Sequence, residues 1–311
     1  MPSKSKCRLC GGDVFNADIS SGIITCVRCG QQYSMGAGKK EQPQPQPQRS
    51  TQTSPMTDTS SPNDFKIANG VLRKYTGNSK YVVIPEGVTE IAIPAQSSRN
   101  RAVQSVFNSS IEYVMLPKSL KKIGEEAFAL TNIKRIEIPF DVTTIGPRSF
   151  YGCANLKNIS LPDSLSEIGI QTFSGCQALH SIEIPSNVNI IRSCAFERCS
   201  SLSEIKLNNG LKKIELGAFS DCTSLESIVI PESVIEISTP SYYDIVGSVF
   251  HGCYMLTNIT YPNRFSPDVF SGSAWCEAWG KQRRSIANGI CPDCGGKLGM
   301  FNKCKRCGKK F

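Results

Sequence analysis

Residues 156–178 read LKNISLPDSLSEIGIQTFSGCQA, and close copies stand on both sides of them. Residues 133–155, 179–201 and 202–224 keep the same layout at a period of 23. Counted from zero at the start of each unit, apolar residues recur at positions zero, three, five, nine, twelve and seventeen, usually with proline at six and cysteine at twenty. A fixed period of this size means that one unit cannot bury its own apolar face and that stacking units closes a continuous core. The centre of the chain is therefore expected to be a solenoid.

Within the unit from 156, Leu156, Ile159 and Leu161 are expected to point inward along a short strand. Pro162 ends that strand, because proline cannot donate to a sheet ladder. Leu165 and Ile168 form a second inward row, and Phe173 is the largest wedge of the turn that returns the chain. Each strand then lies beside its equivalent in the next unit, about 4.8 Å away, in a parallel sheet without lateral closure. Cys153, Cys176, Cys199, Cys222 and Cys253 form a row that reads either as a redox or metal ladder or as small apolar residues filling one site per coil. The second reading is preferred, since free cysteine is among the most buried residue types. Cys276 lies 23 beyond Cys253, yet counting from Phe270 puts Ser273 in the ladder position.

The strand-ending pairs Ile84-Pro85, Leu116-Pro117, Ile138-Pro139, Leu161-Pro162, Ile184-Pro185, Leu207-Asn208, Ile230-Pro231 and Tyr261-Pro262 mark eight coils, the last of them degenerate. Residues 65–81 alternate around Asn69-Gly70, a strong hairpin signal, and are expected to cap the open N-terminal end. The motif LxxIxLPxxLxxIGxxxFxGC, with its variants IKRIEIPFDVTTIGPRSFYGC from 133 and LHSIEIPSNVNIIRSCAFERC from 179, resembles the BspA-type leucine-rich repeat family over residues 65–280. The resemblance implies a non-enzymatic recognition scaffold, many relatives being surface adhesins, and names no ligand. The fold class read here is a mainly β leucine-rich-repeat solenoid of parallel strands, residues 64–280, flanked by two small zinc ribbons.

The first ribbon, residues 1–36, rests on Cys7, Cys10, Cys26 and Cys29, two CxxC pairs whose four thiolates can close a tetrahedron around one zinc ion. Gly11 and Gly30 follow each pair, where the backbone can turn tightly beneath a metal. A redox dithiol is the rival reading, and two matched pairs in one small segment speak against it. With little apolar sequence here, metal binding would supply most of the folding free energy, on the order of 10 kcal/mol. The second ribbon, residues 281–311, rests on Cys291, Cys294, Cys304 and Cys307. Cys294-Gly295-Gly296 matches Cys10-Gly11-Gly12, and Phe311 and Tyr33 hold equivalent places. Four protein thiolates leave no open coordination position, so two structural zinc ions are expected, with iron in a rubredoxin-like site as the alternative. Residues 37–63, rich in Gln, Pro, Ser and Thr, read as a tether, since such a segment cannot bury a core.

The net charge of +9 is carried by the ends. Residues 281–311 hold nine basic side chains against Asp293, whereas residues 65–280 hold nineteen against twenty acids. Arg283, Arg284, Lys303, Lys305 and Arg306 could therefore contact phosphates, and nucleic-acid binding through the ribbons is the alternative function. Few aromatics beyond Phe301 and Phe311 are available there for base stacking. Trp275 and Trp279 stand one helical turn apart and are expected to cap the last coil.

Two surfaces are candidates for a protein partner. Both long coils carry insertions after the same position, following Ile91 and Ile237, with Arg99 and Arg101 in the first and Tyr242 and Tyr243 in the second, roughly 30 Å apart at the strand spacing. Neutral drift in loop length is the competing account. The other surface is the outward strand face of the first coils, with Tyr81, Val83, Tyr113 and Met115, and Phe140 just after a strand; the alternative is that a neighbouring loop makes this cluster core. His180 and His251, the only histidines, fall in repeat turns, and no phosphate-cradling loop, nucleophile elbow or distinctive carboxylate pair is present. The reading is a non-catalytic interaction scaffold. No run of about eighteen apolar residues and no standard export signal occur, so a cytoplasmic location is expected and the adhesin role is the weaker alternative.

Overall fold

The computed structural model describes residues 60–93, 103–240 and 247–273 throughout, together with 17–18, 23–25, 32–34, 276, 278, 281, 290, 297 and 305–307. The chain divides into two compact units, Met1–Ser54 and Pro55–Phe311. The first holds an antiparallel sheet of Ala17–Asp18, Ile23–Thr25 and Gln32–Ser34, with the middle strand paired to both others.

The second unit is a stack of coils in which each full coil contributes two strands. Three-residue strands at Tyr81–Val83, Tyr113–Met115, Arg135–Glu137, Asn158–Ser160, Ser181–Glu183, Glu204–Lys206, Ser227–Val229 and Asn258–Thr260 bear out the eight coils. Their pairings are parallel and in register, as with Ile136 opposite Ile159 and Ile182 opposite Ile205. The expected second inward row is itself a ladder, of two-residue strands at Glu90–Ile91, Lys122–Ile123, Thr144–Ile145, Glu167–Ile168, Ile190–Ile191, Lys213–Ile214 and Glu236–Ile237. The eighth coil has no such short strand; the 3-10 turn Pro267–Phe270 follows its long strand instead.

A third side joins the coils through the return turn. From Phe128 to Phe219 the phenylalanine amide donates to the carbonyl just before the next one, as in Phe128 N to Ser149 O at 2.8 Å, Phe150 N to Thr172 O at 3.0 Å, Phe173 N to Ala195 O at 2.8 Å and Phe196 N to Ala218 O at 2.8 Å. This turn needs two left-handed residues per coil, such as Gln171 (φ 52°) and Gly175 (φ 77°). Glycine takes that conformation without a steric penalty, so Gly217 (φ 62°) is better suited to the first position than Gln171.

The interior repeats residue for residue. Phe107, Phe128, Phe150, Phe173, Phe196, Phe219 and Phe250 stack with centroids 4.8 to 5.5 Å apart and near-parallel rings, and Phe270 closes the column tilted by 40°. The cysteine row fills one internal site per coil, as expected, and does something more. Each thiol donates to the carbonyl of the phenylalanine one coil back, for example Cys176 Sγ to Phe150 O at 3.3 Å and Cys199 Sγ to Phe173 O at 3.2 Å. Alanine would fill the volume and leave that carbonyl without the bond, which explains the choice of cysteine. Ser273 is fully buried in the ladder position and Cys276 is not.

The hairpin Phe65–Ala68 and Val71–Tyr75 turns at Asn69 (φ 51°) and Gly70 (φ 74°) and pairs with Glu90–Ile91. It therefore caps the short-strand ladder and not the long-strand one, whose sheet ends at Tyr81–Val83. Asn208, where other coils have proline, keeps the bend by donating to Pro185 O at 2.6 Å and Val188 O at 2.9 Å. Positions 276, 278 and 281 are helical, while Trp275 and Trp279 of the expected cap lie outside the described residues.

Candidate interaction surface

In each long strand the middle residue faces inward and its two neighbours face out, so outward residues of successive coils fall into two rows. The register places Tyr113 beside Tyr81 on one side and Arg135 on the other, and Met115 beside Val83. The Tyr81 and Tyr113 rings stack with centroids 4.8 Å apart and planes within 1°. Val83 is 39% exposed, Met115 68% and Phe140 76%, so the cluster presents its apolar side chains to solvent. Aromatic and methionine side chains of this kind are enriched at interface cores.

A charged rim borders the rings. Glu112 accepts from Lys134 at 2.5 Å and pairs with Lys80 at 2.9 Å, and Lys134 Nζ lies 5.8 Å from the Tyr113 ring centre. The Lys134 hydrogen bond, then that of Lys80, holds the Glu112 carboxyl below its ordinary range, and Glu112 in turn raises Lys134. Farther along the same face the outward residues are mainly polar, as in Glu183 and Lys206, which form an exposed ion pair, with Val229 an exposed exception.

The second candidate surface lies elsewhere on the coil. Both insertions leave directly after short strands, Glu90–Ile91 and Glu236–Ile237, whereas the aromatic cluster sits on long strands. Arg99, Arg101, Tyr242 and Tyr243 lie outside the described residues. Sequence reasoning passed over Glu126, a buried carboxylate at a left-handed position (φ 54°). It accepts from the Gln104 amide at 3.0 Å, just after the first insertion, and pairs with Arg148 at 3.1 Å. The insertion is thus tied down where it rejoins the solenoid. Nothing in the sequence separates Glu126 from an exposed turn acid.

Of the cysteines assigned to metal, Cys7, Cys10, Cys26, Cys29, Cys291, Cys294 and Cys304 lie outside the described residues, and Cys307 is exposed. Around the C-terminal set, Ile290 and Lys297 form an antiparallel bridge across Cys291 and Cys294 in the sequence. Lys305, between Cys304 and Cys307, donates its amide to Lys297 O at 3.1 Å. Among the phosphate candidates, Lys305 and Arg306 are exposed, and Arg283, Arg284 and Lys303 lie outside the described residues. The ladder thiols make poor metal or redox groups, because burial lifts Cys153 to about 11 and Cys199 and Cys253 to about 12. His180 and His251 are exposed, and His180 Nδ1 sits 3.1 Å from Ala178 O.

Parallel coils of two strands, a stacked phenylalanine column and an outward face that varies from coil to coil define a repeat scaffold. Residues 87–157 and 121–245 match the family described as BspA type leucine rich repeat region, in six copies, and the chain belongs to that family. Among solved structures, a leucine-rich repeat protein from Bacteroides ovatus is similar at 24% identity over 66% of this chain and 76% of its own, with a TM-score of 0.42. One from Eubacterium ventriosum is similar at 21% identity over 67% of this chain and 54% of its own, with a TM-score of 0.48. A leucine-rich cell surface protein from Faecalibacterium prausnitzii is 24% identical over 62% of each chain, with a TM-score of 0.36. No curated protein matches. Among the described residues no helix is long and apolar enough to cross a membrane.

Proposed function

We propose that this chain is a non-catalytic scaffold that captures a protein partner on the aromatic end of its long-strand face. The observation that carries the reading is the cross-coil cluster of stacked, half-buried Tyr81 and Tyr113 with exposed Val83 and Met115, and with Phe140 exposed just after the next long strand. Large apolar groups clustered on an exposed strand face mark interaction sites. The test is affinity capture from cells with quantitative mass spectrometry, comparing the natural chain with a Tyr113→Asp, Met115→Asp variant. A partner lost at least about tenfold with the melting temperature unchanged supports the surface. Equal recovery removes it, and attention passes to the basic ends as a nucleic-acid grip.

The two cysteine sets are read as structural zinc ribbons, Cys7, Cys10, Cys26 and Cys29 holding one ion and Cys291, Cys294, Cys304 and Cys307 the other. Support comes from the antiparallel sheet in the first unit and from the Ile290, Lys297 and Lys305 backbone pairings that flank the second set. Metal analysis of protein purified without chelator should give two zinc ions per chain, and Cys294→Ser should remove one. A stoichiometry unchanged by that substitution would refute the second site. Buried unbridged thiols in the solenoid favour a reducing compartment, which cell fractionation tests.

A further inference from the structure

The two strand ladders are interrupted, and not at the same place. The short-strand ladder ends one sheet at Thr144–Ile145 and starts another at Glu167–Ile168, while Asn158–Ser160 still pairs with Arg135–Glu137. One coil later the situation reverses. Glu167–Ile168 pairs with Ile190–Ile191, and the long-strand ladder parts between Asn158–Ser160 and Ser181–Glu183. Coil 156–178 is therefore held to each neighbouring coil by one ladder only, on opposite sides of the solenoid. The phenylalanine side alone runs through without a break, with Phe150 N to Thr172 O at 3.0 Å and Phe173 N to Ala195 O at 2.8 Å.

Two further features accompany these gaps. A crevice of about 250 Å³ opens on the long-strand face, lined by Asn158, Ile159, Ser181, Glu183 and Glu204. Ile159 is only partly buried, whereas Ile136, Ile182 and Ile205 at the same repeat position are buried. Ser149 Oγ and Thr172 Oγ1 are buried without a hydrogen-bond partner. They lie in the two coils that flank the short-ladder gap, at a position that Ala127, Ala195 and Ala218 fill in other coils. Missing ladder bonds, a gap in the packing and two unsatisfied hydroxyls all lower the free energy of a local opening. A further gap lies between Glu204–Lys206 and Ser227–Val229, where short strands cross, and the coil from Leu225 is likewise joined to each neighbour by one ladder, but the unpartnered hydroxyls Ser149 Oγ and Thr172 Oγ1 are not on it.

We propose that coil 156–178 is a rocking joint. It tilts about the phenylalanine column, widening the short-ladder gap before it or the long-ladder gap after it. The motion changes the angle between the coils that carry the aromatic cluster and those that follow, as a hinge built into a packed stack. The coils before the joint keep both ladders and move as a block, and those after it stay joined by at least one ladder at every step.

The experiment is hydrogen exchange by mass spectrometry on the full, zinc-loaded chain. Peptides covering 158–160, 166–169 and 181–183 should exchange at least about tenfold faster than those covering 113–115, 135–137 and 213–214. Protection equal to within about twofold would overturn the proposal. In a second arm, coil 156–178 is replaced by a copy of coil 179–201, whose two ladders both continue into the next coil. The swap should bring these peptides to the protection of the control strands. Persistent fast exchange in a folded swap would place the looseness outside this coil and also overturn the proposal.

Discussion

The strands Tyr113–Met115 and Glu204–Lys206 share a backbone, a parallel register and a buried central residue, Val114 in one and Ile205 in the other. Their outward residues have nothing in common. Tyr113 stacks on Tyr81 and leaves Met115 open to solvent, whereas Lys206 reaches across to Glu183 in an exposed ion pair. The inner positions must repeat because each packs on its own copy in the next coil, and a departure leaves a void or a clash on both sides. The outer positions meet water and the outward residues of the coils beside them, so they vary without disturbing the stack. Recognition in such a protein belongs where the repeat stops repeating.

The sharpest way to break this comparison is to cut a ring from the column. Phe173→Ala should lower stability by about 3 to 5 kcal/mol, since it empties a site between two stacked rings. Tyr113→Ala should stay within about 1 kcal/mol of the natural chain in the same urea titration. Similar losses for the two would mean that the outward face is part of the core.

The next effect is one of pH. Burial lifts Cys153 to about 11 and Cys199 and Cys253 to about 12, from an ordinary value of 9.0. A raised folded value means that the folded state binds the proton more tightly, so the stabilisation is complete below the unfolded value and is lost as pH climbs through the folded one. The urea midpoint should therefore fall between about pH 9 and 12. Cys199→Ala should lose part of that slope. Iodoacetamide at pH 8 should leave the five ladder cysteines of the folded chain unlabelled, and labelling at the rate of denatured protein would contradict the burial.

The smallest expected change sharpens the comparison from the turn side. Gln171 holds a left-handed position that Gly217 fills two coils on. Gln171→Gly should stabilise by about 0.5 kcal/mol, the relief of backbone strain exceeding the entropy lost by glycine. Thermal melts of the two chains side by side resolve this.

Much of the solenoid was legible because its interior is written once per coil. The period, the eight strand-ending pairs, the Asn69-Gly70 hairpin and the exclusion of Cys276 from the ladder in favour of Ser273 all follow from counting along the chain, and the coordinates agree. The short-strand ladder escaped notice because a two-residue strand has no room to alternate; only the recurring isoleucine at position twelve marked it. The thiol bonds to the phenylalanine carbonyls escaped for another reason, since cysteine and a small apolar residue look alike in a pattern of burial.

Sequence by itself determined that the coils stack, in what order and around which side chains, because a 23-residue period leaves one way to bury the repeated apolar positions. Tertiary structure alone decided where the stack is imperfectly bonded. It also decided that the hairpin covers the short-strand ladder, and that the aromatic residues of two coils stack on one outward face. Those outcomes depend on the spacing between coils and on the direction of each side chain. Neither quantity is periodic, so neither is written in the repeat.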